Sequence, residues 1–90
     1  MTTDRTERIQ GLLEAAFSPV DLRVKDQSHL HAGHAGARDG KGHFEVRIVA
    51  DAFVGKNRIQ RHRMVFEALH DMMQTDIHAL SVHAHAPNHR

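Results

Sequence analysis

The sequence predicts a two-layer α+β domain in which two helices pack on the same face of a three-stranded mixed sheet. Two segments repeat apolar residues every three or four positions, as one face of a helix does, and three others alternate apolar with polar residues, as half-buried strands do. These segments follow one another in the order α-β-β-α-β. With 90 residues and 40% hydrophobic content, the chain is predicted to be one domain over residues 1–90, because two smaller pieces could not each bury a core.

The two helices are predicted over residues 4–17 and 58–73. A proline disfavours helical backbone at the residue before it, so the Ser-Pro pair that follows the first segment should end that helix. Asn57, followed three positions later by Gln60, is typical of a capping-box start for the second helix. The apolar face predicted for the second helix consists of Ile59, Val65, Phe66, Leu69, Met72 and Met73.

Three strands are predicted over residues 21–25, 43–50 and 77–84. The first two can pair antiparallel across the long connection at residues 27–42, and the last two, linked through a helix, should be parallel with a right-handed crossover. In the last strand, the alternation places His78 on the same side as the apolar residues Leu80, Val82 and Ala84. A short tail follows at 86–90.

The absence of cysteine excludes several classes of function. The chain can form no disulfide, no cysteine-ligated metal site of its own and no cysteine nucleophile. No apolar run approaches the roughly 20 residues of a membrane span, and the charged N-terminal segment lacks the apolar part of a secretory signal, so we expect a cytoplasmic protein without membrane contact. The net charge of +1 means that binding to nucleic acid would need a local basic patch.

Histidine is the residue type that points to chemistry. The chain has ten histidines, and His29, His31 and His34 fall within the glycine-rich connection at residues 27–42. Their spacings of two and three positions allow imidazoles to converge on one metal ion, but closing a flexible loop around an ion costs entropy. A metal site and a solvated histidine-rich loop both remain open from the residues alone.

The other histidines lie on predicted elements. His62 falls at the centre of the apolar face of the second helix, which predicts a structural, neutral and hydrogen-bonded residue of the interior. His78 is predicted to be partly buried where the last strand begins. His83 and His85 share the polar side of that strand and are predicted to be surface residues.

A basic run precedes and opens the second helix. Lys56, Arg58, Arg61 and Arg63 carry four positive charges, with no acidic residue between them. Cations beside the free N–H groups of a helix N-terminus favour phosphate, although a solvated basic face is the alternative. No Ser-His-Asp arrangement, paired carboxylates or phosphate-cradling glycine motif is evident, so we predict that the chain is not an enzyme.

Six short segments of the chain match the pattern of one known family. They are Phe17-Ser18-Pro19, Asp26-Gln27-Ser28-His29-Leu30-His31-Ala32, His43-Phe44-Glu45-Val46, Phe53-Val54-Gly55, Arg61-His62-Arg63 and Ile77-His78-Ala79-Leu80. Taken together, these segments resemble the BolA family over residues 5–87. One departure is Gln27, where many members have Glu.

The resemblance implies a fold similar to class II KH domains, together with two activities. One is partnership with a monothiol glutaredoxin that shares a [2Fe-2S] cluster, in iron–sulfur trafficking and iron regulation. The other is DNA-binding transcriptional regulation in stress responses and cell morphology, with phosphate contacts from the basic run. The residues implied for DNA contact are Lys56, Arg58, Arg61 and Arg63.

The cluster ligands that the resemblance implies match His31 and His78, with His29 and His34 as auxiliary candidates. Because this chain has no cysteine, the glutaredoxin and its glutathione would supply the sulfur ligands. The cluster is therefore expected only in the complex, with no cofactor in the isolated chain. Alone, the chain is expected to be a monomer or a weak homodimer.

Overall fold

The protein has the predicted two-layer α+β architecture, with one predicted helix divided in two. The computed structural model describes residues 5–27 and 42–87. A 3-10 helix at Asp51–Phe53 lies between the second strand and the second helix. In chain order, the helices and strands are α1 (Arg5–Phe17), β1 (Asp21–Asp26), β2 (Gly42–Val49), α2 (Arg58–Ala68), α3 (His70–Thr75) and β3 (Ile77–His85).

The sheet has the order β1-β2-β3, with the predicted strand directions. β1 and β2 are antiparallel, with Leu22 opposite Ile48, and β2 and β3 are parallel, with Val46 opposite Val82. β2 is the central strand, and its alternate residues Phe44, Val46 and Ile48 are at most 1% exposed because the helices cover that face. The alternation seen in the sequence therefore identifies the buried face of the sheet.

α1 packs on this face through two fully buried residues, Ile9 and Leu13. The helix ends as predicted at the Ser-Pro pair, where Ser18 has the left-handed value φ 45° and its N–H donates to the carbonyl of Glu14 at 3.0 Å. Within the described ranges 5–27 and 42–87, no helix is both long and apolar enough to cross a membrane.

The prediction of one helix over residues 58–73 is wrong. The capping box of Asn57 and Gln60 is present as predicted, but the helix breaks at Leu69, which has φ −105° and ψ 15°. Leu69 is fully buried, and α3 then places Met72 in the same core. Both apolar side chains therefore remain in the core on the two sides of the break.

The first turns of α2 are not part of the core. Ile59 was expected on the buried face but is 67% exposed, and Arg58, Gln60 and Arg63 around it are exposed as well. Val65 is the first residue of α2 that is fully buried. Helical periodicity identifies the inward side of a helix, but not the position along the helix at which burial begins.

A bulge at the start of β3 overturns the predicted orientation of His78. The register with β2 passes from Gly42 opposite Ile77 to His43 opposite Ala79, so His78 is the extra residue on β3. Ile77 is buried before the bulge, and the buried positions after it are Val82 and Ala84. His78 is consequently exposed and does not share the core side with them.

Charged contacts fasten α1 to the residue before this bulge. The Arg8 guanidinium donates to a carboxylate oxygen of Asp76 at 2.7 Å, and Arg5 Nε lies 3.6 Å from the other oxygen. The backbone carbonyl of Asp76 also accepts from the N–H of Gly42 at 2.8 Å. Asp76 therefore joins α1, β2 and β3 at one end of the sheet.

Replacing Asp76 with alanine is expected to lower the free energy of unfolding by about 1 kcal/mol, since both arginines are partly solvated and the ion pairs are screened. Urea unfolding of Asp76→Ala measures this, with Asp21→Ala, an exposed strand aspartate, as the control. The difference should shrink in high salt. Equal stability of the two variants at low salt would contradict the role given to Asp76.

Candidate functional site

The beginnings of β2 and β3 bring two imidazoles together. The ring centroids of His43 and His78 are 5.1 Å apart, with the ring planes at 54°. His78 is exposed on the bulge, whereas His43 is half-buried and its Nε2 atom is buried. The pair therefore presents one accessible imidazole beside one that is held within the protein.

The chain segment 28–41 begins and ends beside this pair. The N–H of Gln27, the last described residue before the segment, donates to the carbonyl of His43 at 2.7 Å. Gly42, the first described residue after it, donates to the carbonyl of Asp76, two positions before His78. The predicted ligand and auxiliary candidates His29, His31 and His34 lie outside the described residues.

The chemistry available at the pair is that of neutral imidazole nitrogen, a common ligand for transition metals. Within residues 5–27 and 42–87, no group of three or more histidine, cysteine or acidic residues could hold a metal ion. The described part of the chain thus offers two imidazoles at this place and no larger set of donors.

Sequence reasoning missed His43. The alternation along β2 puts it on the same side as Glu45 and Arg47, which gives no sign of a site. The useful signal was the predicted parallel pairing of the last two strands, because parallel strands start at the same edge of the sheet. That pairing brings the first residues of β2 beside the first residues of β3.

The histidines at the other end of β3 are separate from the pair. His83 and His85 are exposed, as predicted, and His83 Nε2 lies 3.3 Å from a carboxylate oxygen of Glu45. His62 was predicted to be an interior residue, and this is wrong. Its side chain is half-buried and lines a groove between α2 and β3.

Arg61 is engaged in hydrogen bonds within the fold, whereas the other three cations of the basic run are exposed. Its Nε donates to the carbonyl of Ala84 at 2.7 Å, and a terminal guanidinium nitrogen donates to the carbonyl of Lys56 at 2.6 Å. It therefore ties α2 both to β3 and to the turn that precedes the helix. Lys56, Arg58 and Arg63 are exposed, so they form the solvent-facing part of the predicted phosphate-binding run.

Substituting Arg61 with lysine should lower the free energy of unfolding by about 1–2 kcal/mol, because an ammonium group cannot reproduce two diverging guanidinium hydrogen bonds. Arg63→Lys, an exposed position on the same helix, should be neutral. Urea unfolding of the two variants distinguishes them. A loss no larger for Arg61→Lys than for Arg63→Lys would show that these contacts contribute little.

Solved structures of other proteins have the same architecture as this chain. A structure of the BolA domain of SufE1 from Arabidopsis thaliana matches with a TM-score of 0.83 and 42% identity, covering 97% of this chain and 96% of that one. A structure of BolA1 from the same plant matches with a TM-score of 0.81 and 34% identity, covering 96% and 95%. The fold thus defines a small α+β domain of the BolA type.

Comparison of the amino-acid sequence places the chain in the same family as these structures. The family model described as BolA-like protein matches residues 13–89, and the chain belongs to the BolA family. It is 42% identical to the DNA-binding transcriptional regulator BolA of Escherichia coli over 79 residues, which are 88% of this chain and 72% of that protein.

Two plant relatives are longer than this chain. It is 46% identical to the chloroplastic/mitochondrial SufE-like protein 1 of Arabidopsis thaliana over 88 residues, which are 92% of this chain. It spans only 24% of the length of that protein, and 55% of the length of the Arabidopsis chloroplastic protein BOLA1.

Proposed function

We propose that this protein is a non-enzymatic adaptor that pairs with a monothiol glutaredoxin and shares a [2Fe-2S] cluster with it, in iron–sulfur trafficking and iron regulation. The observation that supports this best is the exposed imidazole of His78, carried on a β-bulge at the edge where segment 28–41 leaves and re-enters the sheet. His78 and His31 are the proposed ligands, and His29 and His34 are auxiliary candidates.

The donor set of the chain fits a shared cluster. Iron–sulfur clusters need four protein-derived or thiol ligands, and histidine replaces cysteine in some of them, which raises the reduction potential. Without cysteine, this chain can offer imidazoles only, so the sulfur ligands would come from the glutaredoxin and glutathione. His78 would contribute a nitrogen ligand there, and the cluster would supply one-electron redox chemistry or would itself be the cargo.

Sequence distance permits the second ligand. His31 is four positions after Gln27, and Gln27 is hydrogen-bonded to His43, whose ring contacts that of His78. Four residues of fully extended chain cover at most about 14 Å. The backbone of His31 is therefore confined to within that distance of Gln27, which is itself bonded to the neighbour of His78, and a common metal is compatible with this tether.

The ligand assignment is tested by adding the protein to a holo-glutaredoxin and recording visible absorption and circular dichroism. The natural chain should change the cluster spectrum, and His31→Ala and His78→Ala should each reduce or abolish that change because each removes an iron ligand. His85→Ala, an exposed histidine at the far end of β3, is the matched control. A spectrum that the natural chain leaves unchanged, or that all three variants change equally, would overturn the assignment.

A second candidate function is DNA-binding transcriptional regulation. Exposed Lys56, Arg58 and Arg63 lie before and on the first turns of α2. The similar Escherichia coli protein is named as a DNA-binding transcriptional regulator. The exposed cations would contact phosphates, which provide affinity without reading sequence.

The structure lowers the expected number of DNA phosphate contacts from four to three, because Arg61 is engaged with backbone carbonyls. The slope of log affinity against log salt concentration should then be about −2.7, where four contacts would give about −3.6. Arg58→Gln and Arg63→Gln should each make the slope about 0.9 shallower, and Arg23→Gln on β1 should not. If the protein does not bind DNA even at low salt concentration, the proposal of a DNA-binding function is overturned.

A further inference from the structure

The contact between His43 and His78 assigns a role to a residue that would not itself touch the cluster. We propose that His43 is a positioning residue, whose ring holds the His78 imidazole in the orientation that it presents to a partner. The nature of what His78 binds rests on the function proposed above, whereas the positioning itself is a property of this chain alone.

The rotamer of His78 matters for what it can bind. As the extra residue of the bulge, His78 lies outside the regular register between Ile77 and Ala79, and it is exposed. An imidazole loses rotamer freedom when it binds a metal, and this loss weakens binding. A neighbour that helps to fix the ring beforehand reduces the loss.

His43 has the position and the ring geometry that such a neighbour needs. It stands opposite Ala79, directly beside the bulge, and the separation of 5.1 Å at 54° is within the range of tilted aromatic pairs. Its own backbone is fixed, because its carbonyl accepts the N–H of Gln27 and the adjacent Phe44 is 1% exposed. The ring of His43 is therefore a rigid surface against which the ring of His78 can rest.

Burial separates this role from that of a ligand. The Nε2 atom of His43 is buried, so that nitrogen cannot reach a metal held by a second protein at the surface. The contact between the two residues is one of ring against ring. A phenylalanine at position 43 should accordingly keep the effect, whereas a residue without a flat ring should lose it.

The orientation of His78 is measured first by NMR in the isolated protein at one fixed pH, from the three-bond couplings that report its χ1 rotamer. The natural chain and His43→Phe should show one dominant rotamer, and His43→Ala should show averaged couplings. His43→Leu, which retains apolar volume, should also average and serves if the alanine variant does not fold. A single rotamer in the folded alanine or leucine variant would overturn the proposal, as would averaging in His43→Phe.

The consequence for binding is measured next, by titration of the holo-glutaredoxin monitored through the circular dichroism of the cluster. His43→Ala should bind about tenfold more weakly, in line with losses on removing residues that orient a ligand, and His43→Phe should match the natural chain. His83→Ala, on the same strand, is the control. If His78→Ala has no effect on the cluster, the proposed function fails, while the rotamer measurement still decides the role of His43.

Discussion

The shift of one residue in the register between β2 and β3 is the constraint on which this end of the molecule depends. Side chains on a strand alternate between faces. In a regular strand without a bulge, Ile77 and Val82 would therefore point to opposite faces and could not both be in the protein core. Burying an isoleucine completely is worth about 1.5–3 kcal/mol, and Ile77 is 1% exposed. The bulge allows both residues to be buried, and His78 is turned to the surface as a direct result.

Several contacts converge on the same point. Asp76 receives two arginines from α1, its carbonyl receives Gly42, and the next strand residue, Ile77, is in the core. A proposed ligand that emerges from such a fixed backbone has little freedom in its Cα position. The remaining freedom is that of the side chain, and the ring of His43 lies where it can limit it.

The sequence was sufficient for features that depend on one element at a time. The alternation of Phe44, Val46 and Ile48 correctly identified the buried face of β2, and the capping box correctly placed the start of α2. The sequence was insufficient where the burial of a side chain depends on how two secondary-structure elements pack against each other. Ile59 and His62 lie on the side of α2 that periodicity selects, but Ile59 is exposed and His62 lines a groove between α2 and β3 at the margin of the core.

The same limit applies to the candidate site. The orientation of His78 is set by the pairing of two strands 35 positions apart in the register, Gly42 with Ile77, and no local pattern reports an inserted residue in such a pairing. Likewise, the sequence counted Arg61 among four free cations, because its hydrogen bond to Ala84 joins residues 23 positions apart. A charge in a basic run is available to a ligand only when the fold has not already engaged it.

The two candidate activities lie at opposite ends of β3. His78 stands at the beginning of the strand, and Arg61, with the exposed cations around it, is tied to Ala84 near the end. His78 and Ala84 are six positions apart along the strand, which corresponds to about 20 Å. That distance exceeds direct contact between side chains and is about two and a half times the screening length of physiological salt. A charge bound at His78 would therefore interact only weakly with the strand end to which Arg61 is tied, and any competition between a glutaredoxin and DNA would have to arise from the size or the surface charges of the partner protein.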